Sequence, residues 1–225
     1  MSKAVILLSG GLDSSTTLGI ADNEHEELYA LTFLYGQKHD KEIESAKKLA
    51  EHYSVEEHKI LDIPLAEIGR SSLLEGGEEI PQNLEEDIGE DIPSTYVPAR
   101  NIILLSYGLS YAESIDADAV YIGANARDYS GYPDCRPEFY ESFENMARDG
   151  TKRGVEGNPI ELKYPLIDMT KGEIVEKADE IGVPLHLTWS CYEGEEKACG
   201  RCDSCKLRLK GFEEAGLEDP IEYID

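Results

Sequence analysis

The sequence predicts an α/β fold in which helices cover a parallel β-sheet, with a cysteine-rich segment after it. Residues 4–8 form a continuous apolar run, as expected of a strand buried on both faces. Strand and helix patterns then alternate along the chain, an order that builds right-handed crossovers between parallel strands. Four of the five cysteines lie between Cys191 and Cys205, so the last part of the chain differs in composition.

The strands and helices follow in order from hydrophobic spacing. The predicted strands are apolar runs of strand length at residues 4–8, 28–33, 55–61, 118–123 and 160–166. A first helix is expected from about Asp13, after the turn that ends the first strand. Thr170 and Glu173 have the spacing of a capping box and predict the start of a helix that ends near Gly182. Apolar residues at helical spacing predict further helices at residues 40–53, 99–115, 138–148 and 206–215.

Charge and composition limit the class of protein. The 225 residues include 47 acidic and 21 basic side chains, a formal net charge of -26, which argues against binding nucleic acid. With 40% hydrophobic residues the chain can bury a sizeable core. No apolar run reaches the roughly 18 residues of a membrane span, and the apolar start is too short for a signal peptide. We therefore expect a cytoplasmic protein.

An acidic stretch interrupts the pattern between residues 64 and 98. Residues 71–95 hold eight acidic side chains and no basic one. A connection of this length is more typical of a lid or insert than of an ordinary loop. We therefore predict one α/β domain at residues 1–185 with an insert at about 65–95, and a C-terminal segment at 186–225 packed on it. The acid excess fits either a salt-adapted protein or a solvated face plus this loop.

The first chemical motif, Ser-Gly-Gly-Leu-Asp-Ser-Ser at residues 9–15, lies between the first strand and helix. Glycines and a helix N-terminus present backbone N–H groups to an anion, so the motif predicts a pyrophosphate site. It is neither a Walker loop nor a dinucleotide GxGxxG motif, and the alternative is a plain strand-to-helix turn. Asp13 beside an anion site suggests Mg²⁺. The candidate nucleotide-binding residues are Leu8, Ser9, Gly10, Gly11, Leu12, Asp13, Ser14, Ser15, Thr16, Thr17 and Leu18.

The second motif is a cysteine cluster with the spacing C-x7-C-x2-C-x2-C. Thiolates at this spacing suit a tetrahedral zinc ion. Disulfides are disfavoured in a reducing compartment, whereas an iron–sulfur cluster is an open alternative. Four thiolates leave no position for water, so we expect a structural zinc ion; His186 is not needed as a ligand. The predicted ligands are Cys191, Cys199, Cys202 and Cys205.

Three further segments with unusual composition follow strands or precede a helix. They are residues 32–39, 95–101 and 128–136. All three fall at the carboxyl edge of the predicted sheet, where open α/β folds bind ligands.

The motifs together resemble a known family. Residues 9–15 look like the phosphate loop of the PP-loop ATP pyrophosphatases. With the sequences YGQKH, VPARN and SGYPDCR and the cysteine spacing, the chain from residue 4 to about 212 resembles the 7-cyano-7-deazaguanine synthases. Segment 71–95 carries little of this likeness, and Ala99 stands where the family motif has glycine.

The resemblance implies a fold and an activity. The fold is a five-stranded parallel sheet of the adenine nucleotide alpha hydrolase type, which is Rossmann-like. The activity is an ATP-dependent ligation that converts 7-carboxy-7-deazaguanine and ammonia to the nitrile through adenylated intermediates. Implied cofactors are Mg²⁺ and one zinc ion, and the implied assembly is a homodimer. Whether the product serves queuosine or archaeosine is left open.

The resemblance also implies roles for single residues. Asp13, Ser14, Arg100 and Lys171 are the expected catalytic residues, and Tyr129, Tyr132, Asp134 and Arg136 are expected to line the deazaguanine pocket. Arg100 could instead only cap a helix, and Lys171 could face solvent. Cys135 is expected to be a buried small side chain.

Two alternatives to the synthase remain at this point. One is another adenylating PP-loop enzyme, either a tRNA thiolase or an amide-forming synthetase. The other is a nucleotide-binding protein without turnover.

Overall fold

The protein is a five-stranded, all-parallel sheet with helices on both faces. A computed structural model describes residues 1–36, 41–68, 71–74, 92, 95–127, 132–194 and 196–224. The strand order is β3-β2-β1-β4-β5, so the first strand lies at the centre. The strands are β1 (Lys3–Leu7), β2 (Glu27–Leu34), β3 (Glu57–Asp62), β4 (Ala119–Ile122) and β5 (Glu161–Lys163).

Eight α-helices lie in the described part of the chain. Those near the sheet are α1 (Leu12–Glu24), α2 (Lys41–His52), α3 (Leu65–Ile68), α4 (Arg100–Ser114) and α5 (Pro137–Gly150). They are followed by α6 (Lys152–Val155), α7 (Lys171–Glu180) and α8 (Asp203–Glu214). Within the described ranges, no helix is long and apolar enough to cross a membrane.

Alternating residues of the central strand enter two different cores. Ala4 and Ile6 pack with apolar residues of α1 and α2 on one face. Val5 and Leu7 pack with residues of α4 and α5 on the other. All four are at most 6% exposed, as the continuous apolar run predicts.

All five predicted strands are present; three differ from the predicted bounds by one residue at each end, and two differ by more. The third begins at Glu57 instead of residue 55, because Val55 still donates to the Ala50 carbonyl (2.9 Å) at the end of α2. The fifth ends at Lys163 instead of residue 166, because the chain turns at Tyr164, whose carbonyl accepts from Ile167 (3.2 Å).

The predicted insert is anchored to the core at both of its ends. Leu73 and Leu74 on one side and Val97 on the other are buried with the residues of α4. The helix α3 within the insert is absent from the sequence prediction. Residues 75–91, which hold the acidic run, lie outside the described part of the chain.

The C-terminal segment packs against α1 and α7. Phe212 of α8 shares a buried cluster with Leu12 and Ile174. The helices α7 and α8 approach closely because both contain glycine at the contact: a Cβ on Gly211 would lie 2.4 Å from the Lys171 Cγ. This packing brings the N-terminus of α7 to the N-terminus of α1.

Candidate active site

A cavity of about 240 Å³ opens at the carboxyl ends of β1, β2 and β4. The strand order reverses at β1, and this switch point is where open α/β folds bind ligands. Nine residues predicted from the sequence line it: Leu8, Ser9, Gly11, Leu12, Asp13, Ser14, Arg100, Tyr132 and Lys171. The predicted phosphate loop therefore forms one wall of a true cavity.

Successive backbone N–H groups of the loop converge on two serine hydroxyls. The amides of Ser9 and Gly10 both donate to Ser14 Oγ (3.2 Å each), and the amide of Gly11 donates to Ser9 Oγ (3.3 Å). A concave row of N–H donors at the N-terminus of a helix is an arrangement that binds phosphate oxygens. In this structure the three amides donate to serine hydroxyls of the loop itself, so the binding of a pyrophosphate group here stays a prediction.

Two glycines permit the close contacts that shape this loop. Gly10 has φ +88°, and a Cβ there would lie 2.2 Å from the Glu42 carbonyl oxygen of α2. Gly123 follows β4, and a Cβ there would lie 2.8 Å from the amide nitrogen of Ser14. Larger residues at either position would push α2 or β4 away from the loop.

The last four of the candidate nucleotide-binding residues, 15–18, face away from the cavity. Ser15, Thr16 and Thr17 are fully buried, and each hydroxyl donates to the carbonyl four residues earlier, at 2.7–2.9 Å. Leu18 belongs to the core between α1 and the sheet. The structure therefore places these four predicted nucleotide-binding side chains in the helix body, because successive helical residues turn away from its N-terminus. Gly10 is not among the cavity-lining residues either, although its amide faces Ser14.

Asp13 and Lys171 form an ion pair at the mouth of the loop. The Lys171 ammonium lies 2.8 Å and 2.9 Å from the two Asp13 carboxylate oxygens. Its side chain is 8% exposed, so Lys171 is not the solvent-facing lysine that the sequence left open. The capping box of Thr170 and Glu173 is confirmed and fixes the turn that carries Lys171.

Arg100 enters the cavity from the first turn of α4, surrounded by aromatic rings. Its guanidinium lies 5.8 Å from the centre of the Tyr35 ring, a cation–π contact. Tyr132 and Tyr192 line the same part of the cavity. Ala99, the residue before α4, has φ +57°, a conformation that glycine adopts without strain.

The predicted deazaguanine-binding residues separate into three groups. Tyr132 lines the cavity, whereas Tyr129 lies outside the described residues. Asp134 is 5% exposed and accepts a hydrogen bond from the Asn101 amide (3.1 Å), so it stabilises the start of α4. Arg136 is exposed and immediately precedes α5. Neither Asp134 nor Arg136 is among the cavity-lining residues, and their binding roles stay predictions.

Cys135 lines the cavity as a protonated thiol. Burial, with the nearby Asp134 carboxylate, raises its pKa to about 12. Asn101 donates to its sulfur at 3.4 Å. The thiol is 6% exposed, which agrees with the expectation of a buried small side chain.

Sequence reasoning missed Glu42 and Asn125. Glu42 lies in the first turn of α2 and lines the cavity; burial raises its pKa to about 7, although Arg100 lowers it. Asn125, after β4, donates to the Met169 carbonyl (2.5 Å) and so ties β4 to the turn before α7. Glu42 lies just beyond the conspicuous segment 32–39, and only the contact of α2 with Gly10 shows that it reaches the loop.

The four predicted zinc ligands come together in one cluster. The sulfur atoms of Cys191, Cys199, Cys202 and Cys205 all lie within 4.8 Å of one another. The Cys199 and Cys205 sulfurs are 3.9 Å apart, close to the ~3.8 Å edge of a tetrahedron with 2.3 Å zinc–sulfur bonds. The cluster therefore has the ligand type, the number and the spacing of a metal site.

Backbone amides donate to two of these sulfurs. Cys191 accepts from Gly194 (3.0 Å) and Cys199 (3.2 Å), and Cys199 accepts from Cys202 (3.3 Å). Hydrogen bonds from the neighbouring thiols, together with the backbone amides of Cys199 and Glu193, lower the pKa of Cys191, whereas the hydrogen bond to Cys191 raises the pKa of Cys202 and Cys205. Such bonds stabilise thiolates, the form that binds a metal.

The cysteine segment also forms a wall of the cavity. The Trp189 amide donates to the Gly10 carbonyl (2.9 Å), and Ser190, Tyr192, Ser204 and Leu207 line the cavity. Arg208 of α8 is 1% exposed and makes an ion pair with Asp219 (2.7 Å and 2.9 Å). The cysteine segment is therefore in direct contact with the phosphate loop and the cavity.

Comparisons with known proteins agree with the motifs. The family model of queuosine biosynthesis protein QueC matches residues 3–216. A 7-cyano-7-deazaguanine synthase from Desulfitobacterium hafniense is 52% identical, covering 100% of this chain and 94% of that protein. Synthases of the same name from Oceanobacillus iheyensis and Acetivibrio thermocellus are each 53% identical. The alignments cover 99% and 100% of this chain, and 98% and 99% of those proteins.

Proposed function

The chain belongs to the family of queuosine biosynthesis protein QueC, and from this premise we propose that it is a ligase that makes 7-cyano-7-deazaguanine. Its substrates are 7-carboxy-7-deazaguanine, ammonia and ATP. The observation that supports the proposal is the placement of the predicted phosphate loop and the half-buried Arg100 in one cavity at the switch point of the sheet.

Conversion of a carboxylate to a nitrile removes two oxygen atoms, and neither oxide nor hydroxide is an adequate leaving group. In the proposed reaction, a carboxylate oxygen attacks the α-phosphorus of ATP and pyrophosphate leaves. Ammonia then attacks the acyl carbon, AMP leaves, and a proton is lost to give the amide. The amide oxygen attacks the α-phosphorus of a second ATP in the same way and pyrophosphate leaves, and loss of AMP and of both N–H protons leaves the nitrile.

The loop amides stabilise the leaving pyrophosphate. The N–H groups of Ser9, Gly10 and Gly11 donate to serine hydroxyls of the loop, and a bound pyrophosphate would replace these hydroxyls as the acceptor. Donors held beside the developing negative charge stabilise it, which is the main source of electrostatic catalysis. Ser15 contributes by holding the Gly11 carbonyl (2.7 Å) and hence the shape of the loop.

Two charged groups flank the loop. Arg100 compensates the negative charge where the substrate carboxylate meets the α-phosphate, because its guanidinium lies in the same cavity. Lys171 holds the Asp13 carboxylate beside the loop and adds positive charge to it.

Two metal ions fit this donor set. Both Asp13 carboxylate oxygens are bonded to Lys171, so Asp13 would hold Mg²⁺ by exchanging one of these bonds for the ion, which supplies charge neutralisation to a bound triphosphate. The four cysteines would hold one structural zinc ion per chain, since all four positions of a tetrahedron are filled by sulfur.

The remaining features concern location and partners. We propose a cytoplasmic enzyme that acts on small molecules, forms a homodimer and does not bind nucleic acid; the net charge of -26 supports the last point. The product serves the synthesis of queuosine, or of archaeosine in an archaeal source.

Product analysis tests the proposed function. Purified protein incubated with ATP, Mg²⁺, the deazaguanine acid and ammonium should release pyrophosphate and produce first the amide and then the nitrile, as followed by mass spectrometry. A reaction without ammonium should stop before the amide. Binding of ATP without any amide or nitrile would identify a nucleotide-binding protein and reject the proposal.

A further inference from the structure

The cavity contains one carboxylate and one guanidinium that do not pair with each other. Glu42 and Arg100 both line it, and the charge of Arg100 acts on Glu42. No nitrogen–oxygen distance between the two side chains is within 4.0 Å, the limit for an ion pair. Both side chains are half-buried, and opposite charges that are partly removed from water and not paired with each other favour a ligand that bonds to both.

The other charged side chains that line the cavity have partners. Lys171 is bonded to Asp13, and Arg208 is bonded to Asp219. Arg100 shares a side-chain hydrogen bond with Tyr35, but no ion pair involves Arg100 or Glu42 among the charged lining residues that the structure describes. The two can therefore bind a ligand that carries a carboxylate at one end and N–H groups at the other.

The substrate named in the proposed function has this polarity. Its pyrimidinone ring carries a ring N–H and an exocyclic amino group side by side, and its carboxylate lies on the five-membered ring at the other end. A carboxylate can accept both N–H groups in parallel, and a guanidinium binds a carboxylate with two parallel bonds. Tyr35, Tyr132 and Tyr192 line the space near Arg100 and offer apolar ring surface to a flat ligand.

We infer that Glu42 selects the deazaguanine ring by accepting its ring N–H and its amino group, while Arg100 holds the carboxylate end. This inference rests on the proposed function. We favour Glu42 over Asp134, the acidic residue that the sequence places in the deazaguanine pocket, because the Asp134 carboxylate already accepts from the Asn101 backbone amide and Glu42 lines the cavity.

Steady-state kinetics of Glu42→Gln test the inference. The glutamine has the same size but replaces one acceptor by a donor, so the KM for the deazaguanine acid should rise at least about tenfold. The KM values for ammonium and ATP should stay within about twofold. The matched control is Glu44→Gln, which removes an exposed carboxylate from the same helical turn and should not change any of the three.

A substrate analogue provides a second readout. The wild-type protein should bind the acid more tightly than the analogue without the 2-amino group, as measured by calorimetry, and Glu42→Gln should lose most of this preference. If the glutamine variant does not fold, Glu42→Asp keeps the charge, retracts it by one carbon, and should weaken acid binding in the same direction.

Two results would overturn the inference. One is a rise in the KM for ammonium alone, which would make Glu42 an ammonia site. The other is unchanged preference between the acid and its analogue in the variants. Failure of the wild-type protein to make any nitrile would instead reject the proposed function, and calorimetry with the acid would still decide the role of Glu42.

Discussion

At the scale of single residues, burial decides which cavity groups can react. Glu42 and Cys135 both line the cavity, and burial raises the pKa of each. For Glu42 the shift brings the carboxylate close to half ionised at neutral pH, whereas for Cys135 it keeps the thiol protonated. A covalent role for Cys135 would require a thiolate that its surroundings disfavour.

We therefore expect the Cys135 thiol to resist alkylation in the native protein. A pKa of about 12 means that the thiol is protonated throughout pH 7 to 9, and only the thiolate reacts with iodoacetamide. Peptide mass spectrometry after treatment at pH 8 should find Cys135 unmodified. The same treatment in denaturant serves as the control and should modify it; rapid labelling of the native protein would contradict the raised pKa.

At the scale of elements, the phosphate loop depends on how tightly α2 packs against it. Gly10 combines a positive φ with a backbone contact that leaves no space for a Cβ. Gly157 has nearly the same φ, +84° against +88°, but nothing within 4 Å of the corresponding position. Alanine substitutions at these two glycines therefore distinguish the free-energy cost of the left-handed backbone conformation from the cost of the contact with α2.

Gly10→Ala should lower the free energy of unfolding by about 2–5 kcal/mol, from the left-handed conformation and the contact with α2 together. Gly157→Ala should cost only the conformational part, about 1–2 kcal/mol. Urea denaturation of both variants measures the difference. Equal decreases in the free energy of unfolding of the two variants would show that α2 moves to accommodate the added Cβ at no measurable cost.

The sequence predicted those elements whose signals are local. The capping box of Thr170 and Glu173 involves residues three positions apart, and the central strand is recognisable from its apolar run. Glu42 could not be found in this way, because its place beside the loop depends on the packing of α2 against Gly10. The same limit applies to Asp134 and Arg136. Their charged side chains could bind the proposed substrate, but the orientation of these side chains depends on how the turn before α5 packs.

At the scale of the whole molecule, the metal cluster and the cavity form one connected unit. Trp189, the only tryptophan in the sequence, lies between them: its amide donates to Gly10, and its indole N–H donates to the Cys191 carbonyl (3.1 Å). Its side chain is buried with the four cysteines. We therefore expect loss of the metal to change the structure of the cavity wall.

Removal of the metal with a chelator should shift the Trp189 emission to longer wavelength and abolish activity, because the wall around Ser190 and Tyr192 loses its support. Cys202→Ser should purify with less than one zinc ion per chain and show the same emission. Cys135→Ser, a cysteine outside the cluster, should retain the metal. Unchanged emission after complete metal loss would show that the Arg208–Asp219 ion pair alone maintains the segment.

The hydrogen bond from Trp189 to Gly10 joins residues that are far apart in the sequence. During synthesis on the ribosome, the loop therefore emerges long before its backbone partner. A nascent chain can assemble β1 and α1 before Trp189 is made, but the loop carbonyl acquires its partner only afterwards. The cavity is therefore completed only after Trp189 has been added, so chains that stop before this residue should not consume ATP.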